Sequence, residues 1–225
     1  MQIIGHRGAS GHAPENTLAS FQKALDFKVD MVELDVRLCK TGELVLMHDK
    51  DVERTTNGHG EVSDLTLAEL KKLDSGEGQK IPTLIEVIDL VNRQVPIIIE
   101  LKGEGTARPA VQTIHRYVKE SGYSNSDFIV SSFRHNELAT VRRLDPNINV
   151  ATLWWNLPID VNKLDPMIID ARLSILTSEI VKEAQAAGRR VHAFVGNEMS
   201  EIKEAKSLGV DAIHTDYPDR AQKIL

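Results

Sequence analysis

Short β-branched runs alternate with longer stretches of helical period along the chain, and no other feature narrows its fold so far. Nine runs read as strands: 3–6, 31–36, 44–48, 96–102, 128–132, 149–153, 167–171, 190–195 and 211–216. Helical patterns lie between them at 15–27, 66–73 with 83–93, 106–120, 135–143, 177–187 and 198–208, with a weak one near 158–164. Thr177 and Gly188 supply a start and a stop for the helix between them. One run is out of step. Between "ELDV" and "LVLMH" lies only "RLCKTGE", too short for a crossover helix but right for a hairpin with Thr41 and Gly42 at its tip. The run at 44–48 therefore folds back antiparallel on the second strand. Eight strands remain, each followed by a helical stretch, and that count favours a closed (βα)8 TIM barrel over an open doubly wound sheet.

A chain of 225 residues suits one barrel, so residues 1–225 are expected to form a single catalytic domain. Residues 49–80 are polar and rich in Gly, Thr and Asp. They read as a small insertion after the second barrel strand, near the site, and excursions of this kind usually serve as lids or stay disordered. The net charge of −6 argues against nucleic acid or an anionic membrane as partner. No apolar run approaches the roughly 20 residues that span a bilayer, and no leader pattern opens the chain. A single cysteine, Cys39, allows no internal disulfide and suits a reducing, cytoplasmic setting. A homodimer stays open, but nothing marks a surface for it.

In a parallel barrel the working residues sit at the C-terminal ends of the strands. Those ends carry His6 and Arg7, then Glu33 and Asp35, then His48 with Asp49 on the hairpin return, then Glu100 and Lys102. Residues two apart on a strand share a face, which pairs Glu33 with Asp35 and Glu100 with Lys102. A two-residue turn at Thr41–Gly42 places His48 opposite Asp35. Three carboxylates facing one cavity repel unless a cation sits among them, and an oxygen-only donor set selects Mg²⁺ or Ca²⁺, with Mn²⁺ also fitting. Arg7 and Lys102 suit a phosphate. His6 and His48 supply an acid and a base near neutral pH. The set reads as metal-assisted phosphoester cleavage.

Taken singly, each motif has an ordinary structural explanation; their convergence carries the reading. His12, His59, His115, His135 and His192 read as loop, helix or core residues, while His214 ends the last strand and is less clear. Trp154-Trp155 reads first as half-buried packing, with a substrate-facing wall as the minority alternative. "GEGTAR" at 103–108 lacks the third glycine of a dinucleotide loop, and neither a Walker loop nor a nucleophile elbow occurs.

The motifs "HRG" with "PENT", "ELDV", "MHD", "RTT", "IPTL" and "IELK", then "LTSEIVKEAQAAGRRV" and "GVDAIHTDYP", resemble the glycerophosphodiester phosphodiesterases over nearly the whole chain. The resemblance implies a (βα)8 barrel with a small insertion after the second strand. It also implies metal-dependent hydrolysis of a small-molecule glycerophosphodiester to glycerol 3-phosphate and an alcohol. Carried over by motif, His6 and His48 form the acid–base pair, Glu33, Asp35 and Glu100 hold one divalent metal, and Arg7 and Lys102 bind phosphate. Glu15 and Asn16 support the first loop or touch the phosphate. Two departures bear on substrate preference. The hairpin tip reads "CKTGE" where the family favours Thr-Lys-Asp-Gly, and "HAFVGN" replaces Trp-Thr-Val-Asn, which leaves Phe194 at the aromatic position.

Three rivals stay open on the residues alone. One is a lysophospholipase D-type activity on a longer substrate. Another is a metal-dependent enolising barrel with Lys102 as base. The third is a non-catalytic barrel that only binds phosphodiesters, although a binder has no use for a matched acid–base pair. The nucleophile, water or the substrate's own hydroxyl, is equally open.

Overall fold

The computed structural model describes residues 1–160 and 164–225. Its strands are β1 (Gln2–His6), β2 (Met31–Leu38), β3 (Leu44–Leu46), β4 (Ile97–Leu101), β5 (Phe128–Ser132), β6 (Asn149–Trp154), β7 (Ile168–Arg172), β8 (Arg190–Phe194) and β9 (Ala212–Thr215). The helices are α1 (Leu18–Asp26), α2 (Leu67–Leu70), α3 (Leu84–Val91), α4 (Ala107–Glu120), α5 (His135–Leu144), α6 (Ser178–Ala186), α7 (Met199–Leu208) and α8 (Pro218–Gln222). β1 pairs in parallel with both β2 and β9, and this double pairing closes eight parallel strands into a (βα)8 barrel. β3 hangs antiparallel on β2 as the hairpin return.

Thr17, Thr66, Thr83 and Thr177 cap four of the helices, each side chain accepting the backbone N–H of the residue three positions on. Thr83 and Glu86 close a reciprocal capping box on α3. As expected, α6 starts at Thr177 and is followed by Gly188 in the left-handed region. The weak helical stretch near 158–164 falls partly on 161–163, outside the described residues, and its described flanks are not helical.

Two apolar layers hold the barrel. The larger lies between strands and helices, with Phe21, Ile99 and Phe128 among its buried members. The smaller fills the barrel axis with Ile4, Met31, Ile98, Ile129, Ala151, Ile168 and Ala212, one from each of the eight parallel strands except β8. It forms a floor across the barrel, and the cavity lined by the strand ends lies above it.

The excursion at 49–80 is more ordered than its composition predicts. Asp51 and Glu61 form an antiparallel bridge, a 3₁₀ turn covers Val62–Asp64, and α2 follows. Val52, Val62 and Leu70 pack with Cys39, Val45, Met47 and Ile81 in a separate small core. These scattered apolar residues, too few to show a period, are what orders the segment.

The hairpin register also differs from expectation. Val36 faces Leu46 and Arg37 faces Val45, and the Cys39 N–H donates to the Glu43 carbonyl. The loop therefore holds three residues, Lys40–Thr41–Gly42, with Gly42 at φ +95°. This moves the pairing by one residue. Met47, not His48, donates its N–H to the Asp35 carbonyl, and His48 stands beyond the strand.

Candidate active site

Side chains on a strand alternate faces, so the residues two beyond the apolar plug also point inward. They are His6, Glu33, Glu100, Ser131, Leu153, Asp170 and His214, and all of them line one cavity of about 260 Å³. A further step of two brings Lys102, Phe133 and Trp155 to its rim, joined by Phe194, Arg7 and His48. The plug thus sets the floor of the site and the strand period sets its walls.

The first loop is held in a strained shape. Arg7 and Asn16 adopt left-handed φ values of 54° and 56°. At Arg7 this turns the backbone N–H onto Glu33 Oε2 at 3.0 Å. Arg7 Nη1 donates to Glu15 at 2.8 Å, and its Nε lies 3.2 Å from Asp35 Oδ2. Asn16 bonds Asp35 twice, donating from Nδ2 to the carboxylate and accepting the Asp35 backbone N–H. Glu15 and Asn16 are therefore supports, one for Arg7 and one for Asp35. Arg54, from the excursion, also donates to Glu15 and Asp49.

Glu33, Asp35 and Glu100 offer carboxylate oxygens within 4.8 Å of one another, all deep in the barrel. Burial and the neighbouring Asp35 and Glu100 charges push the Glu33 carboxyl well above its usual range. Burial and the Asp35 charge push Glu100 up to about 7. Burial opposes ionisation of Asp35 too, but Lys102, Arg7 and His48 hold it well below the usual range. Lys102 donates to Glu100 Oε1 at 2.8 Å and lies 3.6 Å from Asp35 Oδ1. Glu33 Oε1 and Asp35 Oδ1 are buried and find no hydrogen-bond partner among the described residues. Unsatisfied, acidic and oxygen-only, the trio fits a hard divalent cation.

Each histidine at the cavity is backed by an aspartate. His6 Nδ1 lies 2.6 Å from Asp216 Oδ1, and His48 Nδ1 lies 2.7 Å from Asp49 Oδ1. An Nδ1–H donated to a carboxylate leaves Nε2 as the free nitrogen. Burial lowers the pKa of both imidazoles against the raising effect of the nearby carboxylates. Arg37 donates from Nε and Nη2 to the His48 carbonyl at 3.0 and 2.7 Å, which fixes this loop without strand pairing.

The predicted residues His6, Arg7, Glu33, His48, Glu100 and Lys102 thus meet around one cavity, with Asp35 buried among them. The two tryptophans divide their expected roles. Trp154 is half-buried and donates to Thr152, whereas Trp155 is 53% exposed and stacks on Phe194 at 5.8 Å between ring centroids. Phe133 meets both rings edge-on. Sequence reasoning missed Phe133, Asp170 and Asp216 and gave His192 no role. The signal was present: "IIDAR", "RVHAF" and "AIHT" each set a polar side chain inside an apolar strand. Burial pushes the His192 pKa down to about 4, so this imidazole is neutral.

A carboxylate trio, two aspartate-backed histidines and two cations at the mouth of a (βα)8 barrel define a phosphodiesterase-type barrel enzyme. Residues 6–220 match the model of the glycerophosphoryl diester phosphodiesterase family, and the chain belongs to that family. It is 35% identical over 241 residues to a glycerophosphodiester phosphodiesterase of Bacillus altitudinis, covering 99% of this chain and 97% of that one. A glycerophosphodiester phosphodiesterase of Caldanaerobacter subterraneus is 33% identical over 235 residues, covering 96% and 94%. Among solved structures, an Oleispira antarctica phosphodiesterase in complex with the product sn-glycerol-3-phosphate superposes with a TM-score of 0.90 at 32% identity. The match covers 99% of this chain and 96% of that one. No helix among the described residues is long and apolar enough to cross a membrane.

Proposed function

We propose that this enzyme hydrolyses small glycerophosphodiesters, glycerophosphocholine and glycerophosphoethanolamine among them, to sn-glycerol 3-phosphate and the free alcohol. The observation that carries the reading is the meeting of the orphaned carboxylate trio with Arg7, Lys102 and two aspartate-backed histidines in one cavity. Glu33, Asp35 and Glu100 would hold one Mg²⁺, Ca²⁺ or Mn²⁺ ion, which when bound neutralises charge on the phosphoryl oxygens.

Arg7 binds the phosphate as a fork and Lys102 as a point charge. Glu15 and Asp35 keep the guanidinium aimed at the cavity. One histidine takes the proton of the attacking hydroxyl through Nε2, and the other gives a proton to the departing alkoxide. The lowered pKa values keep a neutral imidazole available as acceptor at neutral pH. The anionic diester, seated between the rings, favours the charged form of the donor. Phe133, Trp155 and Phe194 form the wall beside the alcohol. The lone cysteine fits a cytoplasmic setting.

The test is release of glycerol 3-phosphate from the choline and ethanolamine diesters with Mg²⁺, Ca²⁺ or Mn²⁺ and with excess chelator. Release that depends on the ion supports the reading. No release from folded protein with any of the three overturns it. The exposed rings of Phe133 and Trp155 favour one second reading, a lysophospholipase D-type activity in which they take an acyl chain. Faster turnover of a lysolipid than of either water-soluble diester would establish it. Phosphorus NMR during turnover separates direct attack by water from a cyclic phosphate route.

A further inference from the structure

Across the barrel from the acid trio, β7, β8 and β9 carry a second buried cluster that the proposed reaction does not use. Asp170, His192 and His214 are inward residues of three adjacent strands, and Asp170 stands level with His192 in the pairing of β7 and β8. One ligand atom from each lies within 4.8 Å of the other two. Asp170 Oδ2 and His214 Nε2 are 2.8 Å apart. His192 is fully buried, and neither of its ring nitrogens has a hydrogen-bond partner among the described residues; the same holds for Asp170 Oδ1.

Unpaired buried polar atoms forfeit the hydrogen bonds that water gave them, so native proteins rarely gather three in one place. Asp170 adds a buried carboxylate that no Lys or Arg pairs among the described residues. We infer that Asp170, His192 and His214 form a second metal site, separate from the carboxylate trio, for an ion of the Zn²⁺ class. Two imidazole nitrogens and one carboxylate oxygen are the donors a borderline-soft tetrahedral ion takes, whereas the trio offers oxygen alone. Three protein ligands leave a fourth position open. Asp170 and His214 line the substrate cavity, which provides the entry path. On binding, the His214 proton moves from Nε2 to Nδ1, which frees Nε2 and Asp170 Oδ2 as ligands while the imidazole stays neutral.

Co²⁺ serves as a visible probe for such a site. The 225-residue chain is loaded with Co²⁺ under a large excess of Mg²⁺, which keeps the oxygen trio filled, and is then desalted. Wild type should retain about one Co²⁺ per chain with the visible absorption of four-coordinate cobalt, and Zn²⁺ should displace it. His192→Leu and Asp170→Asn should each lower retention by at least about tenfold and abolish the band, while Glu100→Gln should leave it intact. Asp170→Asn keeps side-chain volume, so it decides the matter if His192→Leu fails to fold. Absence of the band in wild type would identify the cluster as a polar pocket for water. A band that survives in folded Asp170→Asn, or that is lost in Glu100→Gln, would also overturn the proposal.

Discussion

His6 Nδ1 and Asp216 Oδ1 lie 2.6 Å apart, joining the ends of the first and last barrel strands across 210 positions of sequence. Ser10 and Asn197 also donate to the Asp216 carboxylate, which fixes its orientation. Burial alone would raise the Asp216 carboxyl, but the His6 bond and charge hold it at about 2. The aspartate in turn sets the His6 tautomer and raises its basicity. Asp216→Asn should therefore lower kcat by roughly 10–100-fold, less than the ~10²–10⁴-fold expected for His6→Ala. With the carboxylate gone, the limb of the pH–kcat profile that belongs to His6 should move to lower pH. An unchanged kcat and profile in Asp216→Asn would remove this pair from the mechanism.

Glu100 makes the metal-free protein less stable as pH rises. Glu100 titrates at about 7 in the fold, above its unfolded value of about 4.3. A raised folded pKa means that the contribution of this carboxyl is fully present below about pH 4 and is lost as pH climbs through about 7. In chelator at about pH 8 the ionised group costs on the order of a few kcal/mol. Glu100→Gln removes that charge, and should melt several degrees above wild type under those conditions, at roughly 2–4 °C per kcal/mol. The difference should vanish near pH 5. Excess divalent cation should reverse the order, because it stabilises the intact trio more. Thermal melts at the two pH values, with and without the ion, check all three statements.

What the sequence could convey depended on how local each signal was. Strand count and helix order were legible because period and capping lie within a few residues, as at Thr177 and Gly188. Glu33 with Asp35, and Glu100 with Lys102, were legible because two-residue spacing fixes a shared face. The hairpin register was not. Thr41-Gly42 reads as a two-residue turn, yet Gly42 takes the left-handed place in a three-residue loop, and one residue of slip moves every partner. His48 reaches the cavity through Arg37 and Asp49 instead, contacts that no spacing rule encodes. Asp170 and Asp216 escaped notice because their partners are 44 and 210 positions away.

Trp155 stacks on Phe194, carries the Arg172 guanidinium 5.0 Å from its ring centre, and is 53% exposed at the cavity rim. Its ring contacts are with Phe133, Phe194 and Arg172, and none of these is an acid or histidine that would act on the phosphate. Trp155→Ala should then raise KM by roughly tenfold, the loss of one aromatic contact, with kcat nearly unchanged. Steady-state kinetics on the choline and ethanolamine diesters read this split. A fall in kcat with constant KM would place the ring in transition-state binding.

Gly8 and Gly42 both have positive φ, +85° and +95°, but differ in what surrounds them. A Cβ at Gly8 would lie 2.2 Å from Ser20 Oγ and 2.6 Å from the Ser20 carbonyl carbon, whereas a Cβ at Gly42 would meet nothing within 4 Å. Ser20 starts the packing of α1 against the first loop, and its Oγ donates to the Arg7 carbonyl at 2.7 Å. Gly42→Ala should cost about 1 kcal/mol, the backbone strain alone. Gly8→Ala adds a forced separation of α1 from the loop that carries His6 and Arg7, for a total of roughly 2–4 kcal/mol. The melting point should fall by about 5–15 °C, against a few degrees for Gly42→Ala. Gly8→Ala should also lower kcat in the protein that remains folded, since Arg7 moves with the loop. Equal melting points for the two variants would show that α1 yields freely and that close packing at Gly8 does not position the site.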